Sequence, residues 1–329
     1  MLQTTISKKK MDNLDQRLER ASDCHIHTPI GSDGRTEIQD LLPEISKLDL
    51  ACITDHNNIV WKEWYPVLQQ INKNKEHLTY TMPGAEVSLQ HKGKTVHIVI
   101  YFTKRENNLK DMHERIKHTQ DTLLREINDR IIDKFDLSLE KAINHFKHIP
   151  KKYQLSRDLI LETRWPHLIQ GHDAVGFYYT DIIKAMNEAN ERMLKDNIIQ
   201  DPEQGYGTKF TIESYFHKRK SEFDPKTQGI FLADYNRMPC EEAMPLLSDT
   251  ADIIGIAHAS SRHLVEEFKG KNWINAIGFV DLSAKDLMIL PGSDYHGGPF
   301  RKEKIGYDKG NKLPSCVQDL KDKGFYLFS

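Results

Sequence analysis

Short apolar runs, each closed by a polar knot, recur over the first hundred residues and again after residue 250. Leu50-Ala51-Cys52-Ile53 runs into Thr54-Asp55-His56, and Thr79-Tyr80-Thr81-Met82 runs into a Pro83-Gly84 turn and Glu86. Ile253-Ile254-Gly255-Ile256-Ala257 is closed by His258, and Leu287-Met288-Ile289-Leu290 is followed by Asp294 and His296. Runs of this length predict buried strands, which places four ligand groups just past strand carboxyl ends. Asp23-Cys24-His25-Ile26-His27 also enters a strand. Period-two alternation puts Asp23, His25 and His27 on one side, with Cys24 and Ile26 on the other, so Cys24 is excluded as a partner of the histidines. In Thr95-Val96-His97-Ile98-Val99-Ile100-Tyr101-Phe102 the same rule sets Val96, Ile98 and Ile100 against His97, Val99 and Tyr101. Barrel and open-sheet α/β proteins assemble their sites past strand carboxyl ends, so the polar knots are expected to meet at one mouth.

Between Phe102 and about Gly229 the period changes. Leu109, Met112, Ile116, Thr119, Leu123, Ile127, Ile131 and Phe135 recur at three- and four-residue steps, which predicts one long amphipathic helix. Further helical patterns lie at 139–148, 156–164, 180–198 and 211–220. The chain then returns through Ile230-Phe231-Leu232 and a helix start at Pro239-Cys240-Glu241-Glu242-Ala243-Met244, with its acids in the first turn. The expected organisation is an N-terminal extension over 1–19, an α/β barrel over 20–103 and 229–329, and a mostly helical insertion over 104–228.

Imidazoles and carboxylates without thiolate suit Zn, Mn, Fe or Mg, and each ion needs about four to six ligand atoms. In a chain with 16 histidines one H-x-H carries little weight. The set in order carries much more. His25-Ile26-His27-Thr28, Ser32-Asp33-Gly34, Thr54-Asp55-His56, Pro83-Gly84-Ala85-Glu86, the strand residue His97, Ala257-His258 and Ser293-Asp294-Tyr295-His296 together resemble the PHP family, named for polymerases and histidinol phosphatases. The likeness spans roughly residues 20 to 103 and 230 to 300. Two departures stand out: the loop Pro29-Ile30-Gly31 is one residue longer than usual, and Ala259 replaces a proline.

The resemblance implies a distorted (β/α)7 barrel holding three divalent ions, with Mn, Zn or Fe favoured and Mg allowed. The first position would take His25, His27, Glu86 and Asp294. The second would take Glu86 as a bridge with His97 and His258, and the third Asp33, His56 and His296. The implied activity is metal-dependent hydrolysis of phosphomonoesters or terminal phosphodiesters of nucleotides or short oligonucleotides by a metal-activated water. Alternatives are a histidinol-phosphate-type phosphatase and a nuclease subunit whose insertion docks a partner protein. PHP phosphoesterases acting on nucleotides or short RNA ends carry a helical insertion between the same two histidines, and Thr211-Ile212-Glu213-Ser214-Tyr215-Phe216-His217-Lys218-Arg219-Lys220 resembles part of it.

Asp55 is the candidate for orienting a ligand or moving a proton. Arg237, Arg35 and Arg262 lie near the motif blocks and are candidates for gripping phosphate, and Lys218, Arg219 and Lys220 form a basic spot able to draw phosphate toward the mouth. Composition narrows the substrate. With 46 Lys and Arg against 48 Asp and Glu the net charge is -2, so no general basic surface serves long nucleic acid, and a phosphorylated small molecule or a nucleic-acid end fits better. The amino terminus lacks a long apolar stretch, and no run reaches the roughly 18 apolar residues of a membrane span. Four separated cysteines without a C-x-x-C pair suit a reducing cytoplasm.

Overall fold

The computed structural model describes residues 20–31, 34, 36–73, 75, 77–105, 108–156, 159, 179–208, 237–258, 261–268, 271, 273–278, 286–297 and 304–329. They pack into two units, Met1–Ile127 with Met238–Ser329, and Asn128–Arg237.

The first unit is mixed α/β. Strands β1 (Ser22–Ile26) and β2 (Leu50–Ile53) form a parallel pair. A second sheet runs in chain order through β3 (Gly84–His91), β4 (Lys94–Tyr101), β5 (Ile253–Ile256), β6 (Ala276–Ile277) and β7 (Met288–Ile289). It is antiparallel from β3 to β5 and parallel from β5 to β7. A short hairpin, β8 (Tyr307–Asp308) and β9 (Asn311–Lys312), stands apart in pairing. Single bridges join Leu50 to Tyr80, His56 to Glu86, and Ile26 to Tyr295. Among the described residues no continuous ladder closes a barrel.

Alternation along β2 divides the core. Leu50 and Cys52 join Cys24, Met82, Val99, Tyr101, Ile253 and Leu290 in one apolar cluster. Ala51 and Ile53 face the other way, into a cluster with Ile26 and residues of α1 (Ile38–Ile45) and α2 (Trp61–Asn72). Trp64 and Leu68, fully buried there, each contribute about 1.5–3 kcal/mol by leaving water.

Two local expectations are corrected. Cys24 and Ile26 fall in opposite clusters, and Asp23 does not join the histidines, because the β1–β2 register slips between Asp23 and Ile26. The slip breaks period two for one step and restores it for His25 and His27. Glu86 does not follow a strand; it lies inside one, opposite Val99. Gly84 does not turn the chain but opens β3, where a Cβ would meet Ile100 O at 2.8 Å, so the missing side chain lets the strands approach.

After β4, α3 (Leu109–Thr119) is capped by Asn108, whose Oδ1 accepts from Asp111 N. The single helix expected onward from residue 109 is interrupted by a π turn at Gln120–Leu124 before α4 (Arg125–His145). That wide turn buries both Leu123 and Leu124, neighbours that an α-helix sets about 100° apart.

The second unit is helical where it is described. The later part of α4 and α5 (Tyr179–Lys195) supply Leu139, Ala142, Ile182, Met186, Ala189 and Met193 to a core closed by Phe146, Tyr153 and Tyr206. Tyr206 donates to Tyr153 O at 2.9 Å, and its hydroxyl accepts from Leu155 N at 3.1 Å. Most of the 156–164 pattern, and all of 211–220 and Ile230-Phe231-Leu232, lie outside the described residues. In the first unit, α6 (Cys240–Thr250) starts after Pro239 with Glu241 and Glu242 in its first turn, and α7 (His263–Phe268) and α8 (Val317–Asp322) follow. Among the described residues no helix is long and apolar enough to cross a membrane.

Candidate metal centre

Glu86 sits three residues into β3 with no exposed surface, and both its oxygens are approached by imidazoles from other elements. Oε1 is 2.9 Å from His97 Nδ1 on β4 and 2.8 Å from His258 Nε2, two residues past β5. Oε2 is 3.2 Å from His25 Nε2 and 3.1 Å from His27 Nε2 at the end of β1, and 3.4 Å from His56 Nδ1 beyond β2. Asp294, beyond β7, brings Oδ1 to 3.2 Å from His25 Nε2 and 3.5 Å from both His27 Nε2 and His296 Nδ1. His27 and His296 stack with ring centroids 4.0 Å apart.

Residues not counted among the candidate ligands hold this array. Asp23, wholly buried, accepts from Ser293 N at 3.0 Å, Ser293 Oγ at 2.6 Å, Gly306 N at 2.8 Å and His25 N at 3.2 Å. It therefore pins the loop bearing Asp294 to the strand bearing His25. Asp294 itself has φ +54, a left-handed turn that an aspartate tolerates better than bulky residues do. Asp55 accepts from Thr28 N and Thr28 Oγ, both at 2.6 Å, locking the residue after His27 to the residue before His56. The Asp55 carbonyl accepts from Glu86 N at 3.1 Å, while Glu86 O accepts from Asn57 N at 2.7 Å. Ser261 Oγ accepts from His97 N at 3.2 Å.

Truncating Asp55 to alanine leaves the Thr28 donors buried without their acceptor. The expected cost is about 1.5–3 kcal/mol, read as a lower denaturant midpoint with unchanged slope. An Asp55→Ala midpoint equal to that of the parent refutes the clamp.

The charges are interdependent. Burial lowers the His25 imidazole pKa, but the adjacent Glu86 and Asp294 carboxylates outweigh it and carry it from 6.5 up to about 9. Burial by itself raises Glu86, yet His56, His97 and His25 hold it well below the usual carboxylate range. Asp294 is likewise lowered against its burial by His25 and His27. Two consequences follow for His25 in metal-free protein. Its stabilising contribution is full below pH 6.5 and lost as pH rises toward about 9. A cation must also displace its proton, so divalent-ion affinity is expected to climb through this window with proton release, measurable by calorimetry in buffers of different ionisation enthalpy. Flat affinity from pH 6.5 to 9 contradicts it.

The donor chemistry fits divalent cations. Glu86 Oε2 and Asp294 Oδ1 are buried yet accept no well-formed hydrogen bond, and His25 Nε2 and His27 Nε2 lie only 3.0 Å apart. At this centre, three groups among the described residues offer ligand atoms within 4.8 Å of one another: His25, His27, Glu86 and Asp294; His56, Glu86 and His97; and His27, His56 and His296. His258 joins through Glu86. Cys24 packs instead in the apolar cluster, its Sγ 3.8 Å from Cys316 Sγ. Arg262 is exposed just ahead of α7, and Arg237 is buried at the end of the second unit. Asp33, Arg35, Lys218, Arg219 and Lys220 lie outside the described residues. Sequence reasoning passed over Asp23, Thr28 and Ser293 as clamps, although each stands inside or beside a motif block.

No family model and no curated protein matches the chain. It is similar in fold to a solved structure described as a "putative metal-dependent phosphoesterase" from Bifidobacterium adolescentis. The TM-score is 0.54 at 14% identity, over 94% of this chain and 98% of that one. An amidohydrolase from Chromobacterium violaceum, solved with sulfate and no metal, aligns over 92% of this chain and 96% of that one, with TM-score 0.48 at 16% identity. The first of these extends the fold likeness over nearly the whole chain.

Proposed function

We propose that the chain is a metal-dependent phosphoesterase of PHP type. The observation that carries this reading is the buried Glu86 carboxylate, met on both oxygens by five imidazoles drawn from four segments of the chain. His25, His27, Glu86 and Asp294 would hold one ion, Glu86, His97 and His258 a second, and Asp33, His56 and His296 a third. Such ions supply an activated water at neutral pH and positive charge for phosphate oxygens. The Asp55–Thr28 clamp suits the orienting role for Asp55, because both carboxylate oxygens are engaged. Arg237, Arg35 and Arg262 would grip the substrate. A distorted seven-stranded barrel is the proposed frame. Cys24 N donates to Pro291 O at 2.7 Å and Ala51 N to Tyr80 O at 2.9 Å, backbone bonds that support continuity from β7 to β1 and from β2 toward β3.

The proposed substrates are nucleotides and the ends of short oligonucleotides, with Lys218, Arg219 and Lys220 drawing phosphate. The test is a panel of nucleoside mono- and bisphosphates, histidinol phosphate and labelled short RNA and DNA, assayed with Mn, Zn, Fe and Mg. Preference for histidinol phosphate would replace the nucleotide reading with the alternative phosphatase. Activity appearing only with a captured protein would favour a docking role for the insertion. Neutralising the three basic residues is expected to lower kcat/KM on an oligonucleotide and flatten its salt dependence, while sparing p-nitrophenyl phosphate. Equal losses on both substrates would remove the tract from substrate selection.

A further inference from the structure

A second group of ligand-type side chains lies on the opposite face of β3 from Glu86. His91 ends that strand, five residues and about 17 Å beyond Glu86. An odd separation turns it to the other face, alongside Val87 and Leu89. It stands at the base of the two-residue turn Lys92-Gly93, both with positive φ, as a tight hairpin requires. Only 2% of His91 is exposed, and both ring nitrogens face carboxylates: Nε2 is 2.5 Å from Glu267 Oε2, and Nδ1 is 2.7 Å from Glu241 Oε1. The Nδ1 approach is not a well-formed hydrogen bond, which leaves a buried polar atom poorly satisfied. His263 lies one helical turn before Glu267, so both project from one face of α7, and its ring stacks 5.7 Å from that of His91. Phe268 backs the His91 ring edge-on. His91, His263 and Glu267 offer ligand atoms within 4.8 Å of one another.

We propose that His91, His263 and Glu267 form a separate divalent-cation site, suited to zinc, that ties the β3–β4 hairpin to α7, with Glu241 orienting His91. Two imidazoles and one carboxylate form a three-ligand set that zinc completes with water. A ligating histidine ordinarily gives its other N–H to a carboxylate, the place Glu241 occupies beside Nδ1. Lys92 Nζ lies 2.8 Å from Glu267 Oε1, leaving Oε2 turned to His91. The site's reach extends to the main cluster, because Ser261, two residues before His263, supports His97 N and donates its own N–H to His258 O. The inference does not depend on the proposed activity.

The test titrates zinc into chelator-stripped protein against a chromophoric competitor and counts bound equivalents. His263→Ala/Glu267→Gln, both changes at partly exposed positions, is expected to bind one zinc fewer than the parent while keeping the remaining equivalents. His263→Ala alone, checked for an unchanged far-ultraviolet spectrum, should lose or strongly weaken the same equivalent. Glu241→Gln should keep the count and weaken that equivalent by about 10- to 100-fold. Equal counts and affinities in the parent and the double variant would overturn the site, whatever the main cluster binds. An unchanged affinity in Glu241→Gln would overturn its orienting role.

Discussion

Glu86→Ala is expected to lower phosphoester turnover by at least about a hundredfold, and Asp294→Ala to do likewise. The wild-type centre gathers imidazoles around two carboxylates, and Glu86 touches histidines from β1, β2, β4 and β5 in one contact set. Losing it removes the negative charge that would offset bound cations and leaves its neighbours without a common anchor. Asp294 holds the β7 end of the same array against His25, His27 and His296. Cys24→Ser, in the apolar cluster below, should alter turnover far less. The measurement is kcat/KM on p-nitrophenyl phosphate with Mn, on variants that keep the parent far-ultraviolet spectrum. Near-parental turnover in Asp294→Ala would refute the first metal position.

Metal removal has the second large effect. Purified protein is expected to carry more than one transition-metal ion per chain at the main centre, counted in the His263→Ala/Glu267→Gln background so that the peripheral site adds nothing. Exhaustive chelation should abolish activity and lower the melting temperature. A ligand at one hundred times its Kd stabilises the native state by about 2.7 kcal/mol, and removing several coupled ions withdraws more. Elemental analysis, activity and a melting scan on the same sample decide the matter. Folded, active protein with no metal after chelation would refute the centre.

The apolar runs at Leu50–Ile53, Ile253–Ile256 and Met288–Ile289 are strands, and the polar residues that follow them are the ones the structure gathers. These features were legible because strand burial and period-two alternation are local rules, written into adjacent residues. The same holds for His97, which shares its face with Val99 and Tyr101 of the inner cluster. The helical character of the segment after residue 108 was legible for a similar reason, since three- and four-residue spacing is local.

Other features depended on contacts between distant residues. The slip between Asp23 and Ile26 separates Asp23 from the histidines it adjoins in sequence, and pairing with β2 sets that slip. Glu86 became a mid-strand residue because Gly84 admits the β4 backbone, a fit that exists only once β4 is in place. The clamps from Asp23 to Ser293 and from Asp55 to Thr28 span 270 and 27 residues. His91, Glu241, His263 and Glu267 share no motif, and they meet only because a hairpin tip packs against two helices. The sequence by itself determined which residues are candidates for the chemistry and most of the strands that lead to them, through short-range periodicity. Tertiary structure alone decided which carboxylate stands at the centre, what holds it there, and that a second cluster exists, because side-chain partners far apart in the chain are selected by packing.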